Sequence, residues 1–232
     1  MKINIVIPTL HRPQKLLQCI NSINLASLLI EEHRWFLYIY YSDVKDLEND
    51  DELYSQQRNI FVRLLDKPYN ASEFWDDYLK EQHFDIFIYL NDDVIVESLF
   101  FKKIVDIMNK QYPNLDGVIG FRQANIPLEQ TVKTAYGAIG EEFVERFPNR
   151  AVFMPAYRRF FLDKELELYA IKINKLYFDE IKSPQLIHLH PAFDKSQLDE
   201  THLDVRKYLR EDNILFNRRK AKNLIWGENF EI

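Results

Sequence analysis

The run Phe84-Asp85-Ile86-Phe87-Ile88-Tyr89-Leu90 breaks abruptly into Asn91-Asp92-Asp93-Val94, and the fold is read outward from that break. A short run of apolar, β-favouring residues with polar neighbours marks a strand buried on both faces of a sheet. In open α/β sheets, ligands bind outside the carboxyl ends of the strands. Carboxylates are costly to bury unless they are paired or bind a metal. Two aspartates directly after a buried strand therefore suggest a cation site. The same triplet, taken alone, reads equally well as a turn or a helix cap, because turns select Asp and Asn.

Upstream, Lys2 to Pro8 is a strand stopped by proline, and Thr9-Leu10-His11-Arg12 follows as a loop. Pro13 suits the first turn of a helix, and Leu16, Leu17, Ile20, Ile23 and Leu28 recur near the helical period to about Leu29. Trp35 to Tyr41 and Ile60 to Leu65 read as strands, with an acidic, solvated loop from Asp46 to Glu52 between them. Asn70-Ala71-Ser72-Glu73 resembles a capping box that opens a helix to about Glu81. The order is β-α-β-β-α-β or β-α-β-α-β-α-β, which implies a mostly parallel sheet with helices on both faces.

Downstream, a helix is expected from about Ser98 to Lys110 and a strand over Asp116 to Phe121. Tyr136-Gly137-Ala138-Ile139-Gly140 reads as a connecting loop or a mobile acceptor-side loop. Ala151 to Pro155 is a strand candidate, as are Leu176 to Phe178 and Gln185 to His190. Helices are expected over Asp163 to Lys175 and from about His202 to Asn223, the second ending in the basic residues Arg218, Arg219, Lys220 and Lys222. No Pro/Gly/Ser-rich linker and no repeat divides the chain.

Composition narrows the function classes. The 232 residues are 47% hydrophobic, enough for one sizeable core, and the net charge of -6 offers no basic field for nucleic acid. With 5 glycines, and neither a P-loop nor a GxGxxG pattern, Walker-type and Rossmann dinucleotide chemistry are not expected. The lone Cys19 sits on an apolar helical face, which suits packing and a reducing compartment. No signal peptide or membrane span is legible, so a cytoplasmic protein is the expectation.

Besides Asn91-Asp92-Asp93, two polar islands stand out. Asp163-Lys164-Glu165-Leu166-Glu167 lies at a helix start, where acidic residues are favoured regardless of function. His188-Leu189-His190 lies in a strand-like run, and alternation puts both histidines on one face. Carboxylates with an imidazole suit Mn²⁺, while Mg²⁺ is compatible with carboxylate, water and phosphate ligands.

These places, in this order, resemble the GT-A fold glycosyltransferases, broadly those of the family 2 nucleotide-diphospho-sugar transferases. Ile5-Val6-Ile7-Pro8-Thr9-Leu10-His11-Arg12-Pro13 resembles the opening strand and nucleotide loop, and Tyr40-Tyr41-Ser42-Asp43 the second strand with its terminal Asp. Leu90-Asn91-Asp92-Asp93 resembles the DxD motif, with Asn91 at its first position. Pro155-Ala156-Tyr157 with Phe160-Phe161-Leu162-Asp163 is similar to the acceptor-side segment that carries the base. His188 to Phe193, with Asp199 to His202, resembles a segment in which a histidine completes a metal site in some bacterial and phage-type members.

The resemblance implies an α/β GT-A fold in one catalytic domain, residues 1–232. Within it, 1–121 form the nucleotide-sugar half, 122–202 the acceptor half, and 203–232 a helical tail. It further implies sugar transfer from a nucleotide-diphosphate donor to a hydroxyl acceptor, metal-dependent and inverting, with manganese favoured over magnesium. Asp93 and His190 or His188 would hold the metal. Pro8, Thr9, Arg12, Asp43, Asn91 and Asp92 would bind the donor. Asp163, then Glu165, would be the base, with Glu167 competing. Three departures matter: Asn91 has no charge and so weakens the hold on a metal, no QxxRW motif of processive synthases is present, which argues against a polymerase, and no Glu-Asp pair stands at the expected base position. A non-catalytic nucleotide-sugar binder that kept the fold is the alternative, and a nucleotidyltransferase ranks last for want of a glycine loop after the first strand.

Overall fold

A computed structural model describes residues 1–47, 58–65, 71–189 and 200–231, with side chains undescribed at 71–73 and 200–206. The expected capping box at 70–73, most of the acidic loop at 46–52, and His190 therefore lie outside what is described. Strands are β1 (Lys2–Thr9), β2 (Arg34–Tyr41), β3 (Ile60–Leu64), β4 (Ile86–Tyr89), β5 (Val94–Val96), β6 (Val118–Gly120), β7 (Arg122–Gln123), β8 (Gly137–Gly140), β9 (Leu176–Tyr177) and β10 (Gln185–His188). Helices are α1 (Pro13–Ser27), α2 (Ala71–Glu81), α3 (Phe100–Gln111), α4 (Glu141–Val144), α5 (Leu162–Lys172) and α6 (Glu200–Ala221).

A seven-stranded sheet runs in the order β3-β2-β1-β4-β8-β6-β9, and β8 alone is antiparallel to its neighbours β4 and β6. The mostly parallel α/β architecture is as expected. The two-residue side-chain period of the strands sorts the core into two chemically different faces. Ile3, Ile5, Ile7, Leu37, Ile39, Ile86 and Ile88 face α1 and α3 in an aliphatic layer. Val6, Tyr38, Tyr40, Phe87 and Tyr89 face α2 and α5 in an aromatic layer. There Tyr38 lies 4.9 Å from Tyr78, Tyr40 lies 4.7 Å from Phe74, and Trp75 lies 5.1 Å from Phe153, ring centre to ring centre. Edge-on and tilted contacts of this kind add to the area that aromatic rings bury. Cys19 is wholly buried in the aliphatic layer, and burial pushes its thiol far up, so it packs rather than reacts.

Two expectations are corrected and one strand is added. Tyr136 to Gly140 is not a loop: it is mostly the central strand β8, and all of it is buried. Glycine is required there because a Cβ on Gly140 would collide with the backbone carbonyl of Leu115, and one on Gly137 with the Tyr89 ring hydroxyl. Ala151 to Pro155 forms no strand; a 3₁₀ turn at Pro148–Arg150, with Asn149 at φ 54, turns the chain instead. The strand after Asn91-Asp92-Asp93 was also missed: β5 starts at Val94 and joins a second sheet, β5-β10-β7. That small sheet matters for the site, because its register sets His188 opposite Val94. Among the described residues, no helix is long and apolar enough to cross a membrane.

Candidate active site

β1 and β4 are parallel neighbours, so their carboxyl ends open side by side. Thr9, the last residue of β1, donates its hydroxyl to Asp92 Oδ2 at 2.8 Å. His11 takes a left-handed turn, φ 53, which folds the chain back so that Arg12 precedes α1. The Arg12 guanidinium then sits between the two aspartates, with Nη1 3.1 Å from Asp92 Oδ1 and 3.2 Å from Asp93 Oδ2. Asp92 and Asp93 are each only 2% exposed. The rest of the loop after β1 lies at the rim with the end of β2: Ser42 N donates to Thr9 O at 3.2 Å, and Asp43 is 3.6 Å from the exposed His11 ring. Asp46, expected to be solvated, instead accepts from His11 N at 2.6 Å.

The two aspartates carry their charge unequally. Burial and the adjoining Asp93 push the Asp92 carboxyl up, against the pull of Arg12 and Thr9. Burial also opposes charge on Asp93, but His188 and Arg12 outweigh it and hold that carboxyl below the usual range. Asp93 Oδ1 is the exception among these oxygens, since it is buried without a hydrogen-bond partner. The nearest basic atom is His188 Nε2 at 3.5 Å, beyond hydrogen-bond length.

The small sheet brings the histidine there. β10 pairs with β5, and Leu189 N donates to Asp93 O at 2.8 Å. His188 Nδ1 lies 3.0 Å from the Gln123 amide oxygen, which can accept its proton, and Nε2 lies 3.1 Å from Tyr136 Oη and 3.5 Å from Asp93 Oδ1. Histidine ligands of metals commonly donate their other N–H in this way. Among the described residues no group of three carboxylate, His or Cys side chains is gathered, so protein donors here number two, Asp93 Oδ1 and His188 Nε2. Their separation suits two ligands about 2.1 Å from one ion. An orphaned buried carboxylate oxygen and an oriented imidazole thus fit a divalent cation completed by phosphate and water.

Asp163 stands in the first turn of α5 and lines a cleft of about 230 Å³ with Trp75, Asn91, Tyr136, Arg159 and His188. Burial pushes its carboxyl up to about 6. Glu165, the second candidate for the base, is instead bound elsewhere. It accepts from Arg219 Nε at 2.7 Å, from Tyr157 Oη at 2.7 Å and from Trp226 N at 2.9 Å, in a pair only 2% exposed on each side. The bonds from Arg219 and Trp226 fasten the C-terminal segment, so Glu165 is engaged there rather than turned to the cleft that Asp163 lines. Glu167 is similarly engaged by Lys133 N at 2.7 Å and Lys164 Nζ at 2.9 Å. Gln123, Tyr136 and Trp75 belong to the site without having been expected there. Tyr136 was hidden in a segment read as loop, and the other two carry no sequence signal of their own.

No protein-family model and no curated protein matches the chain in sequence. Solved structures do match in shape. Residues 1–349 of S. aureus TarS align over 79% of this chain and 59% of that one, at 12% identity and a TM-score of 0.61. The same protein in complex with UDP-GlcNAc aligns over 88% of this chain and 64% of that one, at 12% identity and a TM-score of 0.60. The mannosyltransferase PcManGT from Pyrobaculum calidifontis, in complex with GDP-Man and Mn²⁺, aligns over 79% of this chain and 56% of that one, at 8% identity and a TM-score of 0.57. The chain thus spans about three fifths of the length of these proteins. Likeness at such identities is a likeness of fold, and the fold of this chain is the GT-A fold of nucleotide-sugar transferases.

Proposed function

We propose that the chain is a glycosyltransferase that moves a sugar from a nucleotide-diphosphate donor to a hydroxyl acceptor with inversion. The observation that carries this reading is one cleft in which a half-buried carboxylate with a raised pKa, Asp163, shares walls with Asn91 and His188, beside the Asp92–Asp93 pair. The shape neighbours support it, since TarS was solved with UDP-GlcNAc and PcManGT with GDP-Man and Mn²⁺. Residues 1–121 then serve the donor, 122–202 the acceptor, and 203–232 brace the second half. A lone cysteine suits a reducing compartment, which supports a cytoplasmic setting for the reaction.

In this reading Pro8, Thr9 and Asp43 frame the nucleoside at the ends of β1 and β2. Arg12, Asn91 and Asp92 turn polar groups toward the diphosphate. A divalent cation, manganese in preference to magnesium, would be held by Asp93 and His188, with His190 as a further candidate, and would act as a Lewis acid toward the leaving diphosphate. Asp163 accepts the proton of the acceptor hydroxyl as its oxygen bonds to the anomeric carbon. The carbon–oxygen bond to the diphosphate breaks in the same step, and its electron pair leaves with the nucleoside diphosphate. One displacement inverts the carbon.

The test is release of nucleoside diphosphate from UDP-GlcNAc and GDP-Man with Mn²⁺. Asp163→Asn and Asp93→Ala are each expected to lower turnover by about 100-fold or more. Unchanged turnover in both variants would remove the mechanism. Arg12 already bridges Asp92 and Asp93, and that favours a second reading, a nucleotide-sugar binder without turnover. Tight donor binding with no transfer to any acceptor would decide for it.

A further inference from the structure

The segment from Arg158 to Phe161 has no regular structure, yet its backbone is fastened to α6. Asp212 of α6, 1% exposed, accepts from three successive amides: Arg158 N at 3.0 Å, Arg159 N at 2.9 Å and Phe160 N at 2.8 Å. Phe161 closes the segment at φ 67, and its ring stacks on Phe216 of α6 at 4.8 Å. The Glu165–Arg219 pair anchors the chain just beyond. Burying a carboxylate to hold one short segment is costly, and an ordinary surface loop has no need of it.

What the fastened segment delivers is a division between two adjacent arginines. Arg158 points outward, 3.7 Å from Glu211 and over the Tyr208 ring. Arg159 lines the cleft with Asn91, Tyr136, Asp163 and His188. Among the described residues it has no carboxylate within salt-bridge distance, and burial above all, with Arg12, lowers its pKa against the pull of Asp93 and Asp92. A guanidinium presents a planar fork of donors suited to phosphate or carboxylate. Arg159 thus adds a second cation, besides Arg12, to a cleft whose carboxylates alone would repel an arriving diphosphate.

We propose that Arg159 binds the diphosphate of the donor and that Asp212 is a positioning residue that sets it there. This rests on the donor reading above. The experiment is calorimetric titration of UDP and GDP, with uridine and guanosine as controls, into the full chain and into Arg159→Gln, Arg159→Lys, Asp212→Asn and the Arg159→Gln/Asp212→Asn double variant. Arg159→Gln is expected to weaken the bound nucleoside diphosphate by about tenfold or more, the scale of a lost charge-assisted bond, and to leave the matching nucleoside unchanged. Arg159→Lys should recover part of the loss. Asp212→Asn should weaken the diphosphate alone and add nothing in the Arg159→Gln background, because a residue that acts through Arg159 is coupled to it. A diphosphate bound equally by wild type and Arg159→Gln overturns the inference and leaves the donor reading standing. Full additivity in the double variant, or equal loss of nucleoside binding in Asp212→Asn, reduces Asp212 to a structural role and overturns that half. Wild type binding neither UDP nor GDP overturns the donor reading and this inference with it.

Discussion

As the proposed base, Asp163 would serve catalysis and stability in opposite directions. Burial raises its carboxyl to about 6, near the working range of a general base. The folded value exceeds the ordinary one, so the protonated form is the one the fold favours. Stability from this group is full below the ordinary carboxylate range and is lost as pH rises through about 6. Asp163→Asn cannot ionise, so at pH 8 it should be more stable than wild type by about 1–2 kcal/mol, with the two converging near pH 4, as read by denaturant melts. Turnover of wild type should fall about tenfold per unit below pH 6 as the base protonates, checked by a pH–rate profile. Equal stability at both pH values would mean that the carboxylate is solvated and a poor choice for the base. A second residue-scale test concerns Gln123. Gln123→Leu frees the His188 ring to change tautomer, and half-saturating Mn²⁺ should rise about tenfold in a turnover titration. Sequence alone reached Asp93, because a buried strand ending in carboxylates is a local pattern. It left Asp163 and Glu165 open, since both lie in one acidic helix start. Two residues apart on a helix means about 200° around its axis, so they face opposite ways, and only packing decides which faces the cleft.

Among the elements, β8 is where sequence reading failed for a physical reason. Gly137-Ala138-Ile139-Gly140 has little apolar bulk and flanking glycines, the marks of a turn. Its glycines are there because neighbours leave no room for a Cβ, with Leu115 backbone against Gly140. That crowding depends on residues far along the chain and has no local signature. Gly140→Ala must therefore push backbone aside, and a loss of about 3 kcal/mol or more is expected in denaturant melts, well beyond the glycine-to-alanine change at an open site. A loss under about 1 kcal/mol would show that the Leu115 turn yields freely. The long strands β1 and β2 and helices α1 and α3 were legible because each carries enough periodic apolar residues to be read alone. β5 and β7 were not, at three residues or fewer, since such strands exist only through their partners. The small sheet they build is what carries His188 to Asp93.

For the whole molecule, the question is whether the C-terminal tail is part of the domain or an appendage. The order of elements was legible, but the basic end of α6 reads in sequence as solvated charge. Arg219 is instead 2% exposed and paired with Glu165, while Trp226 enters the aromatic layer and donates Nε1–H to Ala151 O at 2.8 Å. A tail that supplies a buried cation, a buried ring and Asp212 should unfold with the sheet in one transition. Arg219→Met leaves the Glu165 carboxylate buried without its cation, which costs about 3 kcal/mol or more. If the tail is integral, that loss moves the midpoint of a single urea transition and leaves its slope unchanged, because the surface exposed on unfolding is the same. If the tail is an appendage, Trp226 emission changes in a separate, earlier phase while the sheet's far-UV signal stays put. The double variant Glu165→Leu/Arg219→Met separates charge from shape: it should recover much of the loss, since an apolar pair of similar size carries no desolvation cost.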